Sequence, residues 1–304
     1  MTPRPLTPLT PRALRTRWAV QRLARLGAAA TPAAAAAARS GMPRGAAPAP
    51  ARPALEAMGL SFASPLLLAA GFDRRGCLLA DAAALGIGGI ERGSFGAALA
   101  GCRPLFPPAA SRRDEAGGGR VAPPPRRGLS LLVPPYGEAN GAEALGRALA
   151  AWHAGTDYVV LNPARAPVGP PELVELLAGL GALRERLVRP RRLALVAKLP
   201  AAWMEGDDRL AWAHRLVEAG ADGLLVCAEG AAERACARLA ELSAALGPRV
   251  CLISVGGIDS ARVARARLQA GARLLQVHRA LLAAPAVVAG LLAGIGALPR
   301  TRGD

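Results

Sequence analysis

The 304-residue sequence is short of several residue types, and these shortages narrow the classes of protein it can be. Aromatic residues make up 3% of the chain, which leaves few rings to stack on nucleotide bases. The five cysteines include no Cys-x-x-Cys pair, and no cysteine–histidine cluster has the spacing of a zinc site. We therefore expect reduced thiols in the cytoplasm and no metal centre. No membrane-spanning helix and no secretory signal core are predicted.

Acidic residues are missing from the N-terminal part of the chain, where the first carboxyl side chain is that of Glu56. Residues 11–28 combine arginines with a weakly amphipathic apolar pattern, and the Ala/Pro-rich run over 29–54 is typical of a linker. We expect residues 1–54 to form a basic extension that contacts an anionic membrane surface through 11–28, peripherally on the inner membrane. A solvated tail and an organelle transit peptide are the alternatives. The arginines that carry more than half of the net charge of +16 are Arg4, Arg12, Arg15, Arg17, Arg22, Arg25, Arg39, Arg44 and Arg52.

Lysine occurs once, at Lys198, and asparagine twice, at Asn140 and Asn162. The composition is otherwise dominated by Ala, Gly, Arg and Pro, so the arginine count says less than usual about binding. Lys198 follows the apolar run Leu193–Val196, which is an unexpected place for a solvated surface lysine. Lys198 and Asn162 are therefore early candidates for a functional site.

Beyond residue 54, short apolar runs alternate with Ala/Leu/Arg segments of helical character. Eight strands are predicted: Pro65–Gly71, Ile87–Gly93, Gly128–Val133, Tyr158–Asn162, Leu193–Leu199, Gly223–Cys227, Val250–Val255 and Arg273–His278. Helices are predicted after every strand except the second: Cys77–Leu85, Ala142–His153, Pro171–Leu187, Asp208–Ala219, Ala231–Leu246, Ser260–Ala270 and Pro285–Leu292. The Pro/Gly/Arg-rich residues 96–127, after the second strand, are typical of a long loop.

This alternation predicts an α/β fold, a single (β/α)8 TIM barrel over residues 55–298. Strands that are apolar throughout fit a parallel sheet covered on both faces. An open doubly wound sheet is the alternative, but the Gly-x-Gly-x-x-Gly turn expected after one of its early strands is absent. In a barrel the chemistry lies at the carboxyl ends of the strands.

Motifs near both ends of the predicted barrel carry a family resemblance. Strand one is preceded by Met58–Phe62 and ends in the octet Ala69–Gly76, and the match continues to Ile90–Ser94. Near the C-terminus, Ile253–Ser260, Ala270–Ala272 and Leu275–Val277 match the last two strands. These segments resemble the dihydroorotate dehydrogenases of the quinone-dependent class 2 type. The resemblance covers about residues 55–295. Between 96 and 250 it consists mainly of the alternation of strands and helices and not of matching motifs.

The resemblance implies a membrane-associated flavoprotein that oxidises dihydroorotate to orotate in pyrimidine biosynthesis and passes electrons to a quinone. Arg74 and Asn162 are implied to bind the substrate. A cation at Lys198 would favour the negative charge of reduced flavin. The residues implied to bind FMN are Ala70, Gly71, Ser94, Ser130, Asn162, Lys198, Cys227, Gly256, Gly257, His278 and Arg279. Of these, the Gly-Gly turn would offer N–H groups to the phosphate, and the His-Arg pair takes the last phosphate position.

The sequence departs from the family where the substrate would react. Arg165 stands at the position of the family's serine, the base that takes a proton from dihydroorotate, and an arginine stays protonated at working pH. Pro167 replaces the second asparagine of the same motif, and the family's substrate loop has no counterpart in residues 96–127. Strand six ends in Cys227, where a cysteine is more often a small buried apolar residue than a base. The catalytic residue is therefore left unassigned.

Three functions are compatible with a sequence that keeps part of the family's cofactor positions and loses most of its substrate positions. The first is a dihydroorotate dehydrogenase-like oxidoreductase with weakened activity, and the second is a degenerate, non-catalytic paralogue that serves as a binding or scaffold module. A nucleic-acid binder that uses the basic extension is a third, but Trp18 is the one aromatic residue in that segment, so no specific nucleic acid is expected. FMN binding separates the first two, because fold alone does not assign an activity.

Overall fold

The computed structural model describes residues 18–26, 54–73, 76–96, 123–135, 141–163, 168–228 and 232–296. Eight parallel strands close into a barrel, and the last strand pairs with the first. The barrel strands are β3 (Leu66–Leu68), β4 (Gly89–Phe95), β5 (Arg126–Leu132), β6 (Tyr158–Asn162), β7 (Ala194–Leu199), β8 (Gly223–Cys227), β9 (Cys251–Val255) and β10 (Leu274–Val277). The predicted (β/α)8 barrel is confirmed, and each predicted strand is present, two with the predicted ends (β6 and β8) and the others with an end shifted by up to three residues.

Helices connect the strands in the order expected for this fold. The helices are α1 (18–26), α2 (Leu79–Leu85), α3 (Gly141–Trp152), α4 (Pro170–Arg184), α5 (Arg209–Glu218), α6 (Ala232–Leu246), α7 (Ala261–Gln269), α8 (Arg279–Ala283) and α9 (Val287–Gly296). The helix predicted over Pro285–Leu292 corresponds to α9, which begins two residues later and continues to Gly296, while the short helix α8 before it was not predicted. Ala284 has the extended conformation that a following proline favours, and this ends α8 before Pro285.

A hairpin that the strand pattern did not predict closes the amino end of the barrel. Its strands β1 (Leu55–Ala57) and β2 (Leu60–Phe62) are joined by Met58 and Gly59, which both have positive φ. Two positive φ values are typical of the tight turns that join hairpin strands. Phe62 is fully buried against residues that begin barrel strands, among them Tyr158.

Two apolar layers hold the barrel together. The inner layer joins the hairpin to inward-facing side chains such as Leu67, Val160 and Ile253. The outer layer lies between the strands and the helices and also includes Ala19 and Leu23 of α1, which are fully buried. None of the helices in the described ranges is long and apolar enough to cross a membrane.

Candidate active site

Three polar side chains from consecutive strands meet near the carboxyl ends of β4, β5 and β6. Asn162 Nδ2 donates a hydrogen bond to Ser94 Oγ at 2.8 Å, and Ser94 Oγ lies 2.8 Å from Ser130 Oγ. Ser130 and Asn162 are buried, whereas Ser94 is partly exposed at the mouth of the barrel. The structure therefore brings together three of the positions at which sequence analysis expected cofactor contacts.

A carboxyl group that sequence analysis did not select lies deeper in the barrel. Glu91 on β4 is 1% exposed, Gln276 on β10 is 2% exposed, and Gln276 Nε2 donates to Glu91 Oε2. Burial raises the pKa of Glu91 to about 7, while hydrogen bonds with Gln276 and Ser130 and the charge of Lys198 oppose the rise. The signal in the sequence was a charged residue inside a predicted barrel strand, at Glu91 in the run Ile87–Gly93.

Lys198 supplies the positive charge of this interior. It lies near the carboxyl end of β7, where it is partly buried between the buried residues Ala197 and Leu199. Its charge lowers the pKa of Glu91, and the two residues lie on strands β7 and β4 of the same barrel. Lys198 is therefore a partly buried lysine within an apolar strand.

Gly71 lies at the mouth of the barrel, where the ends of β3, β4 and β10 are neighbours. Gly71 follows β3 with a φ of +92°, and a Cβ atom built on it would lie 3.5 Å from His278 Nε2 and 3.9 Å from the Gly93 carbonyl oxygen. Ala70 and His278 are partly buried beside it. Small residues here leave the backbone accessible to a flat ligand at the mouth of the barrel.

The turn after β9 is a second glycine cluster. Gly256 and Gly257 have φ values of +100° and +66°, and a Cβ atom on Gly257 would approach nothing closer than the Ala228 carbonyl oxygen at 3.8 Å. The turn leads to Ser260, whose hydroxyl accepts from the Val263 N–H at 3.4 Å and caps α7. Such a turn before a helix exposes backbone N–H groups to an anion.

The other predicted site residues are on β8 and α8 or lie outside the described residues. Cys227 is partly buried at the end of β8, paired with Val255 on β9, and Arg279 is exposed at the start of α8. Arg74 and Arg165 lie outside the described residues, as does most of the predicted 96–127 loop. Within the described ranges, no group of three or more His, Cys, Asp or Glu side chains is arranged to hold a metal ion.

The chain is similar in sequence to curated dihydroorotate dehydrogenases. It is 29% identical over 285 residues to "Dihydroorotate dehydrogenase (quinone)" of Leifsonia xyli subsp. xyli, covering 75% of this chain and 80% of that protein. A protein of the same name from Mesorhizobium japonicum is 39% identical over 64 residues, which are 21% of this chain and 18% of that protein. No protein-family model matches the chain.

The fold is similar to that of two crystal structures of DHODH from Eimeria tenella. The ferulenol complex gives a TM-score of 0.63 over 88% of this chain and 89% of that one. The ligand-free structure gives a TM-score of 0.66 over 93% of each chain. Both are 16% identical in sequence, so they support the barrel architecture and not a shared chemistry.

Proposed function

The chain is a divergent member of the dihydroorotate dehydrogenase family, and we propose that it is an FMN-binding oxidoreductase of weakened activity toward dihydroorotate or a relative. The observation that carries this proposal is the Asn162–Ser94–Ser130 hydrogen-bonded cluster, with Lys198 near the carboxyl end of the neighbouring strand β7. These side chains converge at the end of the barrel where the fold places its chemistry. A quinone as the electron acceptor belongs to the proposal through the resemblance alone.

The described residues fit FMN. The mouth of the barrel, around Gly71 and Ser94, offers the accessible backbone and polar edge that an isoalloxazine ring needs. The open Gly256–Gly257 turn and Arg279 supply N–H groups and a positive charge for a phosphate. When bound, the flavin supplies the hydride acceptor of the proposed reaction, and the protein supplies binding, orientation and charge.

The chain's own residues divide into those that hold the cofactor and those that meet the substrate. Lys198 would favour negative charge on a bound ring, and Asn162 would present its amide to the ring or the substrate. Arg74 suits a substrate carboxylate, because a guanidinium makes two parallel hydrogen bonds to that group. The proton acceptor on the far side of the substrate is missing at Arg165, which is why we propose weakened activity.

A non-catalytic binding module is the second candidate. The replacement of the base by Arg165 favours it, because this change leaves the cofactor-facing positions and the barrel intact. A protein that does not bind FMN would identify the second candidate directly, and if FMN is bound the two candidates differ in turnover. A protein that binds FMN and turns over no dihydroorotate is the result expected of the second.

Titration of the apoprotein with FMN, followed by flavin fluorescence, tests the proposal. We expect saturable binding, weakened in Asn162→Ala because that variant removes the donor to Ser94. Thr156→Val is the matched control, since it removes a buried side-chain hydrogen bond to the Trp152 carbonyl oxygen, far from the site. Both variants should lose about 1 kcal/mol of unfolding free energy, but the control should keep its FMN affinity. No saturable change up to about 1 mM FMN, equivalent to about −4 kcal/mol, would contradict the proposal.

A further inference from the structure

The hydrogen-bonded cluster at the mouth of the barrel continues inward to Glu91. Asn162 donates to Ser94 Oγ, so the Ser94 hydroxyl has its own proton free to donate to Ser130 Oγ. Glu91 pairs with Gly128 on β5, so Ser130, two residues further along β5, lies diagonally beside it, and the Ser130 hydroxyl lowers the pKa of the Glu91 carboxyl group. Two hydroxyl groups therefore lie between the partly exposed mouth of the barrel and a carboxyl group that is buried.

The surroundings of Glu91 can support it in either protonation state. The Gln276 amide and the Lys198 charge favour the carboxylate. The hydroxyl oxygen of Ser130 can accept a hydrogen bond from the neutral acid. Burial without a direct ion pair keeps the two states close in free energy, and the pKa of about 7 reflects this balance.

Other titratable groups near Glu91 do not compete for the proton at neutral pH. Burial, followed by the charge of Glu91, raises the pKa of Tyr158 on β6 well above its usual value, so its phenol stays neutral. Burial raises the pKa of the Cys251 thiol on β9 to about 12. Arg126 on β5 donates from Nε to the Ser61 carbonyl oxygen of the hairpin, at the opposite end of the barrel. On β3, the residue in the inner layer is Leu67, which has no titratable group.

We propose that Glu91 is the proton store of this site, loaded through the Ser94–Ser130 relay when the cofactor bound above it gains negative charge on reduction. The step is a proton shift: a proton enters at Ser94 from solvent, the Ser94 proton moves to Ser130, and the Ser130 proton moves to a Glu91 carboxylate oxygen. The two electrons come from the reductant of the cofactor, which is a dihydroorotate-like substrate in the proposed reaction or dithionite in the test. The added proton offsets the added negative charge. This inference rests on the proposed flavin site and adds a residue to it.

The test measures the reduction potential of bound FMN against pH in the wild type and in Glu91→Gln. One extra proton per two electrons changes the equilibrium constant tenfold per pH unit, or about 30 mV per pH unit. Negative charge on the cofactor raises the pKa of Glu91 further, so the wild type should be steeper by this amount from about pH 7 upward. Glu172→Gln, the same chemical change at a glutamate on α4, is the matched control and should leave the wild-type slope unchanged.

A second readout needs no cofactor. Infrared difference spectra of the full-length apoprotein should contain a protonated-carboxyl band that titrates between about pH 5 and pH 9 and is missing in Glu91→Gln. Equal potential slopes in the wild type and Glu91→Gln would overturn the proton store while leaving FMN binding in place. If the Glu91→Gln variant fails to fold, the wild type alone decides: a reduction potential whose pH dependence does not become steeper above about pH 7 overturns the proton store as well. Failure to bind FMN would overturn the proposed flavin site and with it the coupling, and the infrared band would then report whether Glu91 itself titrates.

Discussion

At the scale of single residues, Glu91 also governs how stability responds to pH. Its pKa is raised by burial to about 7 in the folded protein from an ordinary value of 4.5, so above pH 4.5 the folded state binds more protons than the unfolded state. The stabilisation from this group is therefore complete below about pH 4.5 and is lost as pH rises through about 7. We expect the free energy of unfolding of the wild type to fall relative to Glu91→Gln by about 3 kcal/mol over that interval.

Urea unfolding at intervals between pH 5 and pH 8.5 measures this difference. Subtracting the Glu91→Gln curve removes the contribution of the other carboxyl groups, which titrate in both proteins. Glu172→Gln should run parallel to the wild type. Parallel curves for the wild type and Glu91→Gln would show that Glu91 is ionised throughout, and the balance with Gln276 and Lys198 would need to be reconsidered.

The same residues mark how far single positions can be predicted from the sequence. Lys198 and Asn162 stand out because their residue types are rare here and each lies near the end of an apolar run. Glu91 and Gln276 cannot be paired from the sequence, because their contact depends on the closure of the barrel, in which β10 pairs with β3 and β3 pairs with β4. Their contact joins positions 185 residues apart, which local pattern cannot reveal.

At the scale of elements, α1 presents two different faces. Ala19 and Leu23 are buried in the outer apolar layer, whereas Trp18 is 46% exposed and Leu26 is 37% exposed. Arg22 lies with its guanidinium carbon 5.9 Å from the centroid of the Trp18 ring. The face of α1 that carries Ala19 and Leu23 packs on the barrel. A membrane contact would therefore use the outward face, which carries Trp18 and Arg22.

We expect the full chain to bind anionic phospholipid vesicles in a salt-sensitive manner, because each arginine near the surface contributes on the order of 1 kcal/mol. Arg22→Gln/Arg25→Gln should weaken vesicle binding about tenfold or more at low salt, measured by sedimentation with the vesicles. Arg262→Gln/Arg265→Gln removes the same charge at the same spacing from α7 and should bind like the wild type. Equal loss in both double variants would indicate a general effect of net charge and not a contact through α1.

Other elements show which local signals suffice and which do not. The strand and helix alternation was sufficient for eight strands because apolar runs and helical segments are separated by clear Gly and Pro breaks. The hairpin β1–β2 was missed because three-residue strands are too short for a period of two to be visible. The break before Pro285 is signalled by the proline itself, whereas α8 was missed because five residues are too few for a helical period to be visible.

At the scale of the whole molecule, the barrel follows from a pattern repeated along the chain, and the activity depends on a few positions between the repeats. The barrel fold is specified many times over, because each of eight similar strand–helix units and the closed ring of strand hydrogen bonds favour the same architecture. The substrate side depends on Arg74, Arg165 and the 96–127 loop, and these lie outside the described residues in whole or in large part. The positions proposed to hold the cofactor therefore have a defined geometry, whereas those proposed to meet the substrate are known by residue type alone.

That chemistry leads to the prediction for the protein as an enzyme. The proposed reaction needs a hydride acceptor on one face of the substrate and a base on the other, and Arg165 offers no lone pair at neutral pH. A positioned base contributes about 10²–10⁴ in rate, and each lost hydrogen bond to a charged group removes a further 1.5–3 kcal/mol or so of binding. We therefore expect dihydroorotate oxidation to be absent or far below the usual enzyme range of about 1–10³ per second.

The assay supplies excess FMN, dihydroorotate, a soluble quinone and a dye acceptor, so that neither cofactor loss nor acceptor choice limits turnover. Arg165→Ser returns a hydroxyl group to the position of the missing base and should raise any residual rate, whereas Arg191→Ser, the same change at an exposed arginine, should not. Wild-type turnover within the usual range would mean that another group takes the proton. Cys227, partly buried at the end of β8, would then be the first residue to replace, and loss of that turnover in Cys227→Ala but not in Cys77→Ala would assign it.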